Sequence, residues 1–243
     1  MMNNYTLITG ASSGIGALCA QHLSRDRYLI LASENYEMLE VVKKKCCNSE
    51  QHILWHCNFA SERDSIYDSL LSLINKYDVV IDSYIHFAGI TQILPIKNFT
   101  IPFVDKIFNV NFFSIIEVLR VLLKKSNKKS LEKVILISAL VSIRGNIGNS
   151  IYAASKGAIN SLVYSLAQEL APNIKINAIL PGAIETPMTK NLDESYKDQM
   201  KQDTPLGFGT MEDVINYVEF LLSNKANWIT GQSILVDGGR STK

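Results

Sequence analysis

Apolar and polar residues fall into alternating blocks along this chain, short apolar runs followed by longer stretches of helical periodicity. Seven short runs read as buried strands: Tyr5–Thr9, Leu29–Ser33, His52–Cys57, Asp82–Phe87, Lys133–Ile137, Lys175–Leu180 and Ser233–Val236. Between them the pattern predicts helices over residues 17–23, 36–45, 61–77, 100–125, 150–170, 188–202 and 211–223, with Ser61 as the N-cap of the third. Strand and helix alternate throughout, which predicts an α/β fold with a parallel sheet covered by helices on both faces. No repeat, linker or low-complexity run interrupts it, so residues 1–243 form a single domain, with the polar segment around 188–208 as a lid over substrate. Right-handed crossovers bring the loops after the strands to one edge of the sheet, where an open α/β sheet binds its ligands.

The first of those loops carries the clearest chemistry. Gly10-Ala11-Ser12-Ser13-Gly14-Ile15-Gly16 joins the first strand to an apolar helix, the setting in which a glycine-rich turn receives a phosphate at a helix N-terminus. Gly10 permits the turn, Gly14 lets backbone approach a pyrophosphate, and Gly16 lets helix and sheet pack closely. A Rossmann-type doubly wound sheet of about seven strands follows. Glu34 ends the second strand. An acid there bonds a ribose 2′-hydroxyl and repels a 2′-phosphate, which favours NAD over NADP. Ser13 stands in the turn where a basic residue could meet that phosphate, although Arg25 or Arg27 could still reach the site. Asn58-Phe59, Ala88-Gly89 and Pro181-Gly182 also fall at carboxyl strand ends. His86, just before Ala88-Gly89, reads as a strand residue more than as a proton carrier.

Composition narrows the partners. Lysine and arginine number 24 against 23 aspartates and glutamates, a net charge of +1, so no global field draws nucleic acid or an anionic membrane. The basic run Lys124–Lys129 reads as a solvated helix end. Cys19, Cys46, Cys47 and Cys57 match no zinc spacing and read as reduced thiols. No metal is expected. No apolar run reaches the length of a membrane span, and the N-terminus lacks the features of a signal peptide. The expected location is cytoplasmic.

Tyr152 and Lys156, four residues apart, share one face of the helix over 150–170. An ammonium beside a phenol favours phenolate and lowers its pKa, and a tyrosine so tuned can exchange a proton with a carbonyl or alcohol oxygen. With the glycine turn, Phe87-Ala88-Gly89, Asn111, Pro181-Gly182, Thr186-Pro187-Met188, Ile229–Gln232 and Val236–Gly239, the chain resembles the short-chain dehydrogenase/reductases over nearly its whole length, and most closely the β-ketoacyl carrier-protein reductase branch.

That resemblance implies an NAD(P)-dependent oxidoreductase passing hydride between nicotinamide and the carbon of a carbonyl or secondary alcohol. It implies Tyr152 as general acid/base, Lys156 on the nicotinamide ribose, and Asn111 in a helix kink holding a water. It places Ile184 against the carboxamide, Thr186 near nicotinamide and pyrophosphate, and Asn58 against adenine where the family usually has Asp. Ser12, Ser13 and Ile15 belong to its phosphate turn. His86-Phe87 replaces the family's Asn-Asn. The resemblance also implies a small carbonyl or alcohol substrate and a homo-oligomer, a tetramer as in relatives. Ile90, Ile93, Leu94, Ile143, Ile147 and Met188 make the expected substrate pocket partly apolar.

One departure stands out. The family's catalytic serine lies 13 residues before its tyrosine, and that position here is Ala139. Three readings stand: Ser138 or Ser142 takes its place through a shifted loop, with Ser138 the first candidate; the site is natural but slow or altered; or Ala139 is an introduced change. A second function of another class follows from the same gap, a dinucleotide-binding protein that has lost turnover and acts as sensor or structural partner.

Overall fold

The computed structural model describes residues 4–124, 127, 130–190 and 194–242. Most of the basic run (Lys125, Ser126, Lys128 and Lys129) lies outside the described residues, as do residues 191–193 of the expected lid. Seven strands are present, β1 (Asn4–Thr9), β2 (Tyr28–Ser33), β3 (Ile53–His56), β4 (Val80–His86), β5 (Lys133–Ile137), β6 (Lys175–Pro181) and β7 (Ser233–Val236). They form one sheet in the order β3-β2-β1-β4-β5-β6-β7, every pair parallel. The order reverses between β1 and β4, which opens a crevice above their carboxyl ends.

Successive strand residues face opposite sides of the sheet, and each side is buried. Leu7, Ile30, Tyr84, Val134, Leu136 and Ile176 pack in one core with α3 (Arg63–Tyr77), α5 (Ser114–Leu122) and α7 (Ser150–Leu170). Ile8, Leu29, Leu31, Ile85, Ile135 and Ile179 pack in the other with α1 (Gly14–Leu23), α2 (Tyr36–Lys45) and α10 (Met211–Leu222). Each buried Leu or Ile side chain contributes roughly 1.5–3 kcal/mol relative to exposure, so the apolar strand runs dictate the three-layer arrangement.

Local chemistry moved several expected boundaries. The third helix starts at Arg63 because Asn58 holds the preceding turn: its Oδ1 accepts from Ala60 N at 2.9 Å and Ser61 N at 3.3 Å. Ser61 is therefore inside that turn and not the N-cap. The helix expected over 100–125 is α4 (Ile101–Phe108), a π-helical turn (Asn109–Phe113) and α5. The loop after β5 contains a short helix, α6 (Val141–Arg144). The lid segment holds α8 (Pro187–Lys190) and α9 (Glu194–Gln202).

The tightest point of the fold is Gly10. Its φ is +68°, and a Cβ there would lie 2.6 Å from Ala88 N and 2.8 Å from Phe87 C. A Cβ on Gly16 would lie 2.3 Å from Gly10 O. Backbone meets backbone at both places, so no side chain can swing aside. Gly10→Ala is expected to destabilise the protein by about 2–4 kcal/mol from left-handed strain plus overpacking, read as a lower midpoint in chemical denaturation.

Candidate active site

A cleft of about 610 Å³ lies over the carboxyl ends of the strands, within the usual size of a small-molecule site. Its floor is the turn from Gly10 to Gly16. Ser13 precedes α1 in extended conformation and leaves its side chain out of the helix cap. The first N–H groups of α1 are thus without an internal acceptor, and the helix end carries partial positive charge. Gly14 has φ +55°, a backbone state that glycine adopts without strain. Ser12 Oγ lies 2.8 Å from Ser33 Oγ, tying the turn to the end of β2. The backbone cradle, the helix terminus and the size of the cleft fit a dinucleotide.

Glu34 and Asn58 line the same cleft at the ends of β2 and β3. Arg27 does not approach it. Its Nη1 bonds Thr6 Oγ1 at 3.2 Å and pairs with Asp82 at 3.5 Å. Those partners lie at the amino ends of β1 and β4, the opposite edge of the sheet. Arg25, between α1 and β2, shares that edge. Asn58 spends its Oδ1 on the turn before α3, which leaves its amide nitrogen for a ligand. Phe59 is buried with its ring 5.8 Å from that of Trp55.

On the far wall Tyr152 and Lys156 project from α7 into the cleft. Lys156 Nζ donates to Ile137 O at 2.7 Å and lies 5.9 Å from the Tyr152 ring centroid. Burial pushes the Tyr152 pKa up to about 12 and Lys156 down to about 7. The spacing alone suggested a lowered phenol pKa. Desolvation reverses the direction, because it acts on the lysine's charge as well as on the phenolate.

Asn111 is fully buried in the π-helical turn, behind the cleft wall. Its Oδ1 accepts from Ile90 N at 2.8 Å, and its Nδ2 donates to Ile90 O at 3.0 Å and Ser155 Oγ at 2.9 Å. It thereby clamps the loop after Gly89 to α7. Gly89 leaves room for this: a Cβ there would lie 3.3 Å from Lys156 Nζ. His86 is buried behind the wall, with Nδ1 2.8 Å from Thr9 Oγ1 and 2.7 Å from Tyr84 Oη. Burial, then Lys156, holds its pKa down to about 3, so it is neutral.

Ala139 lines the cleft, and its two neighbouring serines turn their protons elsewhere. Ser138 Oγ is 2.9 Å from Lys156 O, which accepts its proton. Ser142 Oγ donates to Ala139 O at 2.6 Å and accepts from Asn160 Nδ2 at 2.8 Å.

The catalytic and cofactor-binding candidates from the sequence line this one cleft, including Ala88, Pro181, Gly182, Ile184 and Thr186, with the exceptions of Asn111, Ser142 and His86. Of the apolar pocket residues, Ile90 and Ile93 line it. Ile147 and Ile143 are exposed, 93% and 56%, Ile143 on the outer side of α6 and Ile147 in the loop after it. The Met188 side chain lies outside the described residues. Thr91, Arg144, Asn149, Asp203 and Arg240 also line the cleft and were not singled out by sequence. Asn149 had a legible signal, its position one turn before Tyr152. Asp203 and Arg240 had none, since the lid and the chain end meet only in the fold.

The family model described as enoyl-(acyl carrier protein) reductase matches residues 10–241. A 3-oxoacyl-[acyl-carrier-protein] reductase of Rickettsia typhi is 35% identical over 238 residues, 96% of this chain and 95% of the relative. That of Thermotoga maritima is 32% identical over 236 residues, 96% of each chain. Among solved structures, a short-chain dehydrogenase/reductase of Brucella melitensis described as a glucose/ribitol dehydrogenase superposes with a TM-score of 0.89. It is 27% identical, with 99% of this chain and 97% of that one covered. With the phosphate turn, the reversed strand order and the Tyr152–Lys156 pair on one cleft, these matches establish that the chain belongs to the short-chain dehydrogenase/reductase family of NAD(P)-dependent oxidoreductases.

Proposed function

We propose that this chain reduces 3-oxoacyl thioesters with NADH, Tyr152 delivering the proton to the carbonyl oxygen. The observation that carries the reading is the Tyr152–Lys156 wall facing the same cleft as the glycine turn. The substrate class is supported by the names of the relatives that are 35% and 32% identical, and by Ile90, Ile93, Leu140 and Val141, which give an acyl chain an apolar wall.

Bound in the cleft, the dinucleotide supplies the hydride. Gly10, Ser12, Ser13, Gly14, Ile15 and Gly16 would hold its pyrophosphate, and Asn58 and Phe59 its adenine. Ala88, Gly89, Pro181, Gly182, Ile184 and Thr186 would flank the rest of it, with Lys156 on the nicotinamide ribose. Asn111 holds the 89–91 loop against α7 and would anchor the water through which Lys156 reaches solvent. As the carbonyl becomes an alcohol, charge builds on its oxygen and the phenol of Tyr152 gives up its proton there. A phenol that keeps its proton at neutral pH suits reduction. Ser138 has committed its proton to Lys156 O, so we assign it a role in fixing the β5 end to α7.

Glu34 supports NAD over NADP. Its carboxylate would accept the 2′-hydroxyl and would repel a 2′-phosphate, and Arg27 is held at the other edge of the sheet. Exposed apolar side chains, among them Tyr164 on α7, Ile101 on α4 and Trp228, support a homo-oligomer, which we take to be a tetramer. Among the described residues no helix is long and apolar enough to cross a membrane. Together with four free thiols, this supports a cytoplasmic location. We take residues 1–243 as one domain, with the segment around 188–208 as the lid.

Tyr152→Phe is expected to lower kcat on a 3-oxoacyl thioester about 10²–10⁴-fold while NADH binding by calorimetry is retained. The parent is expected to favour NADH over NADPH in kcat/KM by at least about tenfold (~1.4 kcal/mol), and Glu34→Ala should narrow that ratio. The raised and lowered pKa values also set a stability profile. The unfolded chain binds a proton at Lys156 up to about pH 10.5 and the folded chain only to about 7, so stability rises with pH between those values. The Tyr152 phenol acts oppositely, its folded pKa of about 12 lying above the ordinary 10.0. Thermal midpoints of the cofactor-free protein should therefore climb from about pH 7 to 9, and Lys156→Met should flatten the climb.

A further inference from the structure

We propose that Asn149 supplies the hydrogen bond to the substrate oxygen that Ala139 cannot give. This rests on the carbonyl-reduction reading above and assigns that site its missing donor. A carbonyl turning into an alcoholate needs a second donor beside Tyr152, because negative charge develops on its oxygen in a cleft shielded from water. Position 139 offers only a methyl group.

The adjacent hydroxyls are spent. A serine carries one donor proton. That of Ser138 goes to Lys156 O and that of Ser142 to Ala139 O, and Ser142 accepts its remaining bond from Asn160. Moving either proton to substrate would break a bond of 2.9 Å or shorter that ties the β5 end to α7 or closes the loop after β5.

Asn149 has donors to give. It lines the cleft and is 6% exposed. It occupies the N-cap position of α7, where Asn normally accepts a bond from the helix N-terminus, and its side chain makes no such bond. Among the described residues, the one bond of its carboxamide is a 3.4 Å contact from Nδ2 to Ile147 O, near the outer limit of a hydrogen bond. A buried amide with two N–H donors and one long contact is poorly satisfied. Three residues before Tyr152, it stands on the same side of α7 one turn away. A substrate oxygen facing the phenol therefore faces this amide too. Thr91 is the rival donor: it lines the same cleft and its Oγ1 is buried without a partner among the described residues, but it comes from the loop after β4, not from the helix turn that carries Tyr152.

The test is a double-mutant cycle on NADH-dependent reduction, using an acetoacetyl thioester or whichever carbonyl the parent reduces. Asn149→Ala is expected to lower kcat/KM by about tenfold or more in the parent, and by less than about threefold in the Ala139→Ser background, where serine carries the bond. Asn149→Asp keeps the shape and the N-cap preference of the position, loses the donors, and should behave like Asn149→Ala. NADH binding should be unchanged throughout.

Equal losses in both backgrounds, no loss in either, or a larger loss from Thr91→Val than from Asn149→Asp would overturn the assignment. So would a parent that is inactive until Ala139→Ser is introduced. If the parent reduces other carbonyls but no 3-oxoacyl thioester, the substrate reading fails while the cycle still decides the role of Asn149.

Discussion

The close meeting of three backbones at the end of β1 is the constraint on which the rest of this structure depends. Gly10 passes against Ala88 at the end of β4, and Gly16 at the start of α1 passes against Gly10. The contacts are backbone to backbone, so helix, turn and neighbouring strand are placed relative to one another without adjustable parts. That placement points the N-terminus of α1 into the crevice where the strand order reverses, and it puts Ala88-Gly89 beside Lys156. The glycine turn and the Tyr152–Lys156 wall thus owe their relative placement to one packing event.

Electrostatics in the cleft follow burial more than sequence neighbourhood. Lys156 sits one turn from Tyr152, yet the same dry wall that raises the phenol pKa weakens the lysine's hold on its proton. The ammonium finds a carbonyl, Ile137 O, in place of the phenol. His86 shows the same effect more strongly, remaining neutral between two hydroxyls. A second positive charge close to Lys156 would be costly, and neutrality at His86 avoids it.

The segment after β5 shows how hydroxyls next to a cleft are taken up by the backbone around them. Without a hydroxyl at position 139, the hydroxyls at 138 and 142 form a closed network with the backbone of α7 and with Asn160. That network stiffens the wall carrying Tyr152 and Lys156 but points no donor into the cleft. The donor capacity on this wall then shifts to the start of α7, where an asparagine leaves its helix uncapped.

Much of this was legible in the chain. Apolar runs buried on both faces demanded a covered parallel sheet, and the glycine spacing between a strand and a helix demanded a tight turn into the helix N-terminus, because both are local patterns with few alternative structures. Tyr152, Lys156, Glu34 and the strand-end glycines could be named for the same reason. Other features depend on distant segments meeting. Arg27 is removed from the cofactor edge by Asp82 and Thr6, and the direction of the Tyr152 and Lys156 shifts is set by how deeply α7 is packed. The protons of Ser138 and Ser142 are fixed by carbonyls that the loop alone does not specify. Local sequence determined which groups the site contains. Burial and long-range hydrogen bonding, which exist only once the chain is folded, decided which of them are charged, which are occupied and which are free to act.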